Sequence, residues 1–274
     1  MQAFPSSLVL VGAGKMGAAM LEGWLGAGLA PSAVTVIDPA PSETLRALAA
    51  RQGFSLLTGD AQNEAKPSEV VVLAIKPQML DQAAATFSPW VGPQTLVVSV
   101  LAGKTVANVT ARLPQTHKIV RAMPNLPASV LQGMTGCYAA PAVTDAQKAL
   151  SQRLLEAVGA VEWVADEHLI NSVTSVSGSG PAYVFFLVEC LTQAGIREGL
   201  PAAVAAKLAR KTIEGAGELL RQSDLSPATL RQNVTSPGGT TAAALEVLMA
   251  EDGLAPLMEK AVHAARLRAE ALSG

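Results

Sequence analysis

A short apolar run, Leu8-Val9-Leu10-Val11, feeds directly into Gly12-Ala13-Gly14-Lys15-Met16-Gly17, and few folds accommodate that junction. Four apolar residues in succession make a strand buried on both faces. A Gly-x-Gly-x-x-Gly turn then lets the chain reverse without Cβ clashes into a helix packed close on the sheet. Ala18-Ala19-Met20-Leu21-Glu22 begins that helix. Its first N–H groups have no intrahelical partner and face the turn, which suits a pyrophosphate. A second strand, Val34-Thr35-Val36-Ile37, ends in Asp38, 21 residues past Gly17 and about where a ribose-binding acid belongs. A glycine triplet alone carries little weight; strand, turn, helix and acid in this order predict a dinucleotide site.

The first half of the chain keeps alternating strands with helical stretches. Ser42 can cap a helix carrying Leu45, Leu48 and Ala49 at helical spacing. Phe54-Ser55-Leu56-Leu57 reads as a third strand, and Val70-Val71-Val72-Leu73-Ala74-Ile75 as a fourth buried on both faces. Leu96 to Val100 and Lys118 to Ala122 repeat the pattern, and two further apolar segments, Gly136–Ala139 and Val161–Val164, flank a helix from about Asp145 to Val158. Strands separated by helices predict a Rossmann-like, doubly wound parallel sheet. From about Asp166 only Ala- and Leu-rich helical patterns remain, opened by Pro181, Pro201 and Ser226-Pro227. The expected organisation is an α/β domain over residues 1–165 and an all-α domain over 166–274.

In such a sheet ligands lie beyond the carboxyl ends of the strands. Lys76-Pro77 leaves the fourth strand at the mouth of the cofactor crevice, where it lines the nicotinamide or diphosphate region or merely ends the strand with a solvated lysine. Met123-Pro124-Asn125-Leu126-Pro127 is a rigid loop in which Asn125 orients a nicotinamide carboxamide or simply completes a turn. Ser177-Gly178-Ser179-Gly180-Pro181-Ala182-Tyr183 is a glycine-serine turn opening a helix. Asn233-Val234-Thr235-Ser236-Pro237-Gly238-Gly239-Thr240-Thr241 is more informative. Two glycines permit close approach, the Thr240-Thr241 amides start a helix whose positive end attracts an anion, and Ser236, Thr240 and Thr241 add uncharged hydroxyls. The segment suits a small carboxylate.

Composition narrows the classes. The 274 residues are 50% hydrophobic, 15% charged and only 4% aromatic, so the core is aliphatic and the Ala-rich helices suit close helix-on-helix contact, between subunits included. A formal net charge of -2 provides no footprint for nucleic acid. No apolar run of about 18 residues spans a membrane, and the N-terminus lacks a charged leader, so a cytoplasmic protein is expected. Cys137 and Cys190 lack metal-ligand spacing, and His117, His168 and His263 lie in unrelated segments, so no metal centre or Ser/His/Asp arrangement is expected. A hydride-transfer enzyme with little need for acid–base help fits better than a hydrolase.

Together, Val11–Gly17, Ala74–Pro77, Met123–Asn125, Ser177–Tyr183 and above all Asn233–Thr241 resemble the pyrroline-5-carboxylate reductase family over essentially the whole chain. The resemblance implies an NADPH- or NADH-dependent reduction of the cyclic imine to L-proline, the last step of proline biosynthesis. It also implies a Rossmann domain followed by an intertwined dimerisation domain, with further assembly in some members and an active site completed by the second subunit. Carried over by position, Gly12, Ala13, Gly14, Lys15, Met16 and Gly17 form the cofactor loop, with Asn63 near the adenosine. Ala74, Ile75, Lys76, Pro77, Val100, Leu101 and Ala102 line the nicotinamide side, and Asn233 touches the cofactor. Ser236, Gly238, Gly239 and Thr240 hold the substrate carboxylate, and Thr241 places its hydroxyl beside the ring nitrogen. Asp224 matches an acidic position near that nitrogen which the family fills with Glu.

Asp38 favours NADH because a carboxylate repels a 2′-phosphate, whereas family members commonly accept NADPH. Rival readings on the same two-domain plan are a broader imine reductase and a β-hydroxyacid dehydrogenase. The latter lacks its base, because Val184 and Val188 stand where that chemistry needs Lys and Asn. A non-catalytic dinucleotide-sensing dimer is the rival from another class.

Overall fold

A computed structural model describes residues 4–59 and 65–273. Eight strands form one sheet: β1 (Leu8–Val11), β2 (Val34–Ile37), β3 (Ser55–Leu57), β4 (Val70–Leu73), β5 (Leu96–Ser99), β6 (Ile119–Met123), β7 (Gly133–Ala139) and β8 (Gly159–Trp163). Their order is β3-β2-β1-β4-β5-β6-β7-β8, so the chain reverses its direction of travel across the sheet between β3 and β4. That switch places a crevice at the carboxyl ends of β1 and β4.

Every pairing is parallel except β6 with β7. The sheet is thus the expected doubly wound, parallel-dominated one with a single reversed strand, and the reason for the reversal is connection length. Residues 124–132 are too few for a crossover helix, so β7 must return beside β6 in the opposite sense. β7 and β8 are joined through a helix and are again parallel to each other.

Alternation along each strand divides the core. Leu8, Leu10, Val36, Val70, Val72 and Val98 pack with Met20, Leu21 and Trp24 of α1 (Lys15–Gly26) and Leu45 and Leu48 of α2 (Glu43–Gln52). Val9, Val11, Val71, Leu73 and Val97 face Leu80 and Phe87 of α3 (Leu80–Phe87) and Val109 of α4 (Val106–Thr110). Buried aliphatic surface on both sides is why these strands read as continuous β-branched runs. Trp24, with no exposed surface, joins the first layer to α5 (Asp145–Glu156) by donating from Nε1 to the Leu154 carbonyl at 2.7 Å.

The remaining helices are α6 (Leu169–Val173), α7 (Gly180–Arg197), α8 (Ala202–Gln222), α9 (Pro227–Asn233), α10 (Thr240–Leu248) and α11 (Leu254–Ser273). Between α6 and α7 the chain makes a π-helical turn, Thr174–Gly178, which runs into the start of the Ser177–Tyr183 segment read as a glycine-serine turn. Thr174, Ser175 and Ser177 each donate a hydroxyl back to a main-chain carbonyl there, which helps satisfy the widened backbone. The chain divides into two compact units, Met1–Gly178 with Arg266–Gly274, and Ser179–Ala265.

The helical unit contrasts sharply with the sheet. From Ser179 to Ala265 the buried hydrophobic side chains are only Ala205 and Ala209. Phe185, Phe186 and Leu191 of α7 and Leu208 and Leu219 of α8 are exposed. Gly195 admits the close α7–α8 approach, because a Cβ there would lie 3.3 Å from the Ala205 Cβ. Such a unit has helices and close helix contacts but no core of its own.

Candidate active site

The glycine turn is built by main-chain hydrogen bonds at the crevice. Gly12 has φ +88° and donates its N–H to the Ile37 carbonyl at 2.8 Å, while the Ala74 N–H reaches the Val11 carbonyl at 2.8 Å. A Cβ on Gly12 would lie 2.7 Å from Ile75 Cγ2, and one on Gly17 would collide with the Gly12 carbonyl oxygen. α1 therefore approaches β1 only because both positions lack a side chain. Ala74 and Ile75 press on the loop from the β4 side, and Lys76 remains exposed before the 3-10 turn that Pro77 opens.

The first bond of α1 runs from the Ala18 N–H to the Gly14 carbonyl at 2.8 Å, so the amides of Lys15, Met16 and Gly17 precede the ladder. The N-cap is Gly14, with no side-chain cap, and a Cβ at Gly14 would meet nothing within 4 Å. The loop thus combines donors with space, which fits a diphosphate. Asp38 accepts the Ala13 N–H at 2.9 Å through Oδ2 and the Ala40 N–H at 2.9 Å through Oδ1, so its carboxylate is turned onto this loop. Beside it, Val11, Ile37, Pro39, Leu57, Ile75 and Met79 help line a cavity of about 220 Å³ at the carboxyl ends of β1 to β4, suited to a flat heterocycle. A larger hollow of about 620 Å³ is lined only by residues of α1 and α2 and by none from a strand's carboxyl end.

On the nicotinamide side, the Val100 N–H bonds the Leu73 carbonyl at 3.0 Å. Leu101 is 2% exposed, so it can offer a ligand only its backbone, whereas Ala102 is exposed. Asn125 is already engaged within the protein: Nδ2 donates to the Ser177 carbonyl at 3.0 Å and Oδ1 accepts the Met134 N–H at 2.8 Å. It ties the β6–β7 loop to the π-helical turn. Asn63 lies outside the described residues.

Sequence reasoning passed over one buried ion pair. Arg121, 4% exposed in the middle of β6, donates from Nη1 to Glu167 Oε1 at 3.1 Å, and the same oxygen accepts the Val106 N–H at 2.7 Å. Burial holds the guanidinium below its ordinary pKa, and the hydrogen bond and charge of Glu167 oppose that shift. The pair fixes the start of α4, directly after the Val100–Ala102 loop. A charged residue inside Ile119-Val120-Arg121-Ala122 was the available signal.

In the helical unit, the Gly239 N–H closes a turn on the Ser236 carbonyl at 3.0 Å, with Gly238 at φ +68°. α10 starts on Gly239 without a side-chain cap, and its first bond runs from the Ala243 N–H to the Gly239 carbonyl at 3.2 Å. The amides of Thr240, Thr241 and Ala242 thus precede the ladder, beside the Ser236, Thr240 and Thr241 hydroxyls. α2, α5 and α9 instead spend Ser42, Thr144 and Ser226 on their own amides. Like α1, α10 keeps its N-terminal donors uncapped, which suits an anion. Asn233 ends α9 and Asp224 is exposed in the α8–α9 loop. Among the described residues no three His, Cys, Asp or Glu gather as metal ligands, and no helix is long and apolar enough to cross a membrane. Burial pushes the Cys137 thiol up to about 12, so it stays protonated at neutral pH.

Comparison with known proteins agrees with this layout. Residues 167–272 match the family model for pyrroline-5-carboxylate reductase dimerisation, and residues 7–103 match the model for NADP oxidoreductase, coenzyme F420-dependent. Pyrroline-5-carboxylate reductase from Pseudomonas aeruginosa is 37% identical, covering 97% of this chain and 96% of the relative. The enzyme from Synechocystis is 43% identical over 78% of each. A solved pyrroline-5-carboxylate reductase from Coxiella burnetii superposes with a TM-score of 0.90 at 34% identity, covering 98% of this chain and 99% of that one. A Plasmodium falciparum pyrroline carboxylate reductase with NADP bound superposes at 0.81 with 25% identity, covering 99% of this chain and 100% of the other. By its identity to these relatives over nearly its full length, the chain belongs to the pyrroline-5-carboxylate reductase family.

Proposed function

We propose that the protein reduces pyrroline-5-carboxylate to proline with NAD(P)H, in the cytoplasm, as the last step of proline biosynthesis. The observation that carries this reading is the pair of uncapped glycine-started helices, one seated for a diphosphate and one for a carboxylate. In this reading residues 1–165 bind the nucleotide and residues 166–274 dimerise and bind substrate.

The loop Gly12–Gly17 holds the diphosphate through the amides of Lys15 to Gly17, with Asp38 and Asn63 toward the adenosine. Ala74 to Pro77, Val100 to Ala102 and Asn233 line the nicotinamide side. When bound, the reduced nicotinamide supplies the hydride. The chain's own residues then have a positioning task, for which fixed orientation alone can contribute several kcal/mol. Ser236 and the free amides of Thr240 and Thr241, presented by the Gly238-Gly239 turn, grip the substrate carboxylate. The Thr241 hydroxyl donates a hydrogen bond to the ring nitrogen while it is neutral and accepts one from it once protonated, and that nitrogen is basic enough near neutral pH to need no strong acid. Asp224 adds negative charge near that nitrogen.

The exposed apolar side chains of α7 and α8 and the match of residues 167–272 to the dimerisation family model support association of two copies. We assign a homodimer, or a larger assembly of dimers, in which the second subunit completes the substrate cradle.

Oxidation of NAD(P)H followed at its absorbance band tests the reading. Turnover is expected with pyrroline-5-carboxylate and is lost with the same ring lacking its carboxylate; equal turnover of both would make the protein a general imine reductase. Thr241→Val is expected to lower kcat/KM by about tenfold, one hydrogen bond to a charged group being worth about 1.5 kcal/mol. A variant as fast as the parent would remove that role. Gly239→Val is expected mainly to raise KM, because even a Cβ there lies 3.1 Å from the Ser236 carbonyl oxygen and the larger side chain crowds the cradle.

A further inference from the structure

We propose that Asp38 makes this enzyme discriminate against a 2′-phosphate, so that NADH rather than NADPH is its preferred cofactor. The proposal rests on the dinucleotide reading above and adds which nucleotide the site takes. Three features of the β2–α2 connection carry it.

First, the Asp38 carboxylate is fixed in place. Two main-chain donors hold it, Ala13 N–H on Oδ2 and Ala40 N–H on Oδ1, each at 2.9 Å. The Ala13 bond ties it to the glycine loop itself, so the negative charge faces the bound nucleotide instead of swinging toward solvent. Each oxygen retains a lone pair, and a ribose hydroxyl can donate to it. A phosphate at the same carbon brings only acceptors and like charge.

Second, residues Asp38 to Pro41 offer a phosphate no free main-chain donor; the first unpaired amides come only at the start of α2. Pro39 and Pro41 have no N–H. The Ala40 N–H, the one donor between them, is given to Asp38. Third, it offers no cation. Asp38-Pro39-Ala40-Pro41-Ser42-Glu43-Thr44-Leu45 contains neither Lys nor Arg, and Glu43 adds a second acid in the first turn of α2. The first cation along the chain is Arg46, which is exposed and follows Glu43.

The test is a binding measurement, independent of turnover. Isothermal titration of the full chain with NAD+ and with NADP+ is expected to give an NAD+ affinity at least tenfold higher. Asp38→Ser, which keeps a small acceptor for the Ala13 N–H, is expected to narrow that gap at least tenfold, chiefly through tighter NADP+ binding. Asp38→Ser combined with Ala40→Arg is expected to reverse the order. Equal affinities in the parent protein, or an unchanged ratio in a folded Asp38→Ser variant, overturn the proposal and leave the reductase reading standing. Binding of neither nucleotide overturns both. The parent ratio decides even if Asp38→Ser does not fold.

Discussion

Gly17→Ala is expected to lower affinity for the better of NADH and NADPH by about 100-fold, equivalent to about 2.7 kcal/mol. The added Cβ would collide with the Gly12 carbonyl oxygen and press on Ala74 Cβ at 3.3 Å. The first obstacle is main chain, held by the Gly12 N–H to Ile37 bond, so relief requires α1 to move off β1. That movement carries the amides of Lys15 to Gly17 away from their target. Gly14→Ala separates binding from folding. Its φ of −65° and ψ of −168° are open to any residue, and its Cβ meets no protein atom within 4 Å. Stability should change by less than about 0.5 kcal/mol, while the methyl fills the space into which the diphosphate comes. Fluorescence titration and thermal melting of both variants provide the comparison. If Gly14→Ala bound the nucleotide as tightly as the parent, the loop would not be the diphosphate seat.

Glu167→Ala is expected to cost about 3 kcal/mol of folding stability, the scale for stranding one partner of a buried ion pair. Arg121 is 4% exposed and already disfavoured by desolvation, so its guanidinium has no solvent to turn to when Glu167 is removed. The Val106 N–H loses its acceptor in the same step. Arg121→Met should cost less, because the Glu167 side chain keeps 26% of its surface and its bond to Val106. Urea midpoints at unchanged slope measure both. A loss below about 1 kcal/mol for Glu167→Ala would mean that other groups satisfy the arginine.

Most of the sheet was readable because burial on both faces leaves a plain mark: Val70–Leu73 and Leu96–Val98 are unbroken aliphatic runs and lie in β4 and β5. Helix starts were readable where a side chain does the capping, as at Ser42 and Ser226. The reversal of β7 was not, since strand direction is set by what the intervening loop can span and not by the strand's own residues. The π-helical turn was hidden because its Ser and Gly residues equally suit an ordinary turn. At the site, the glycine loop and the Ser236–Thr241 segment could be named from local sequence. The engagement of Asn125 with Ser177 and Met134 joins positions 52 and 9 residues away, and such pairings exist only once the fold brings them together.

The helical unit has a thermodynamic corollary. With only Ala205 and Ala209 buried among the hydrophobic residues between Ser179 and Ala265, the proposed association would supply these helices' stability and make folding there a second-order reaction. Dilution then acts as a denaturant, and the melting temperature rises with enzyme concentration.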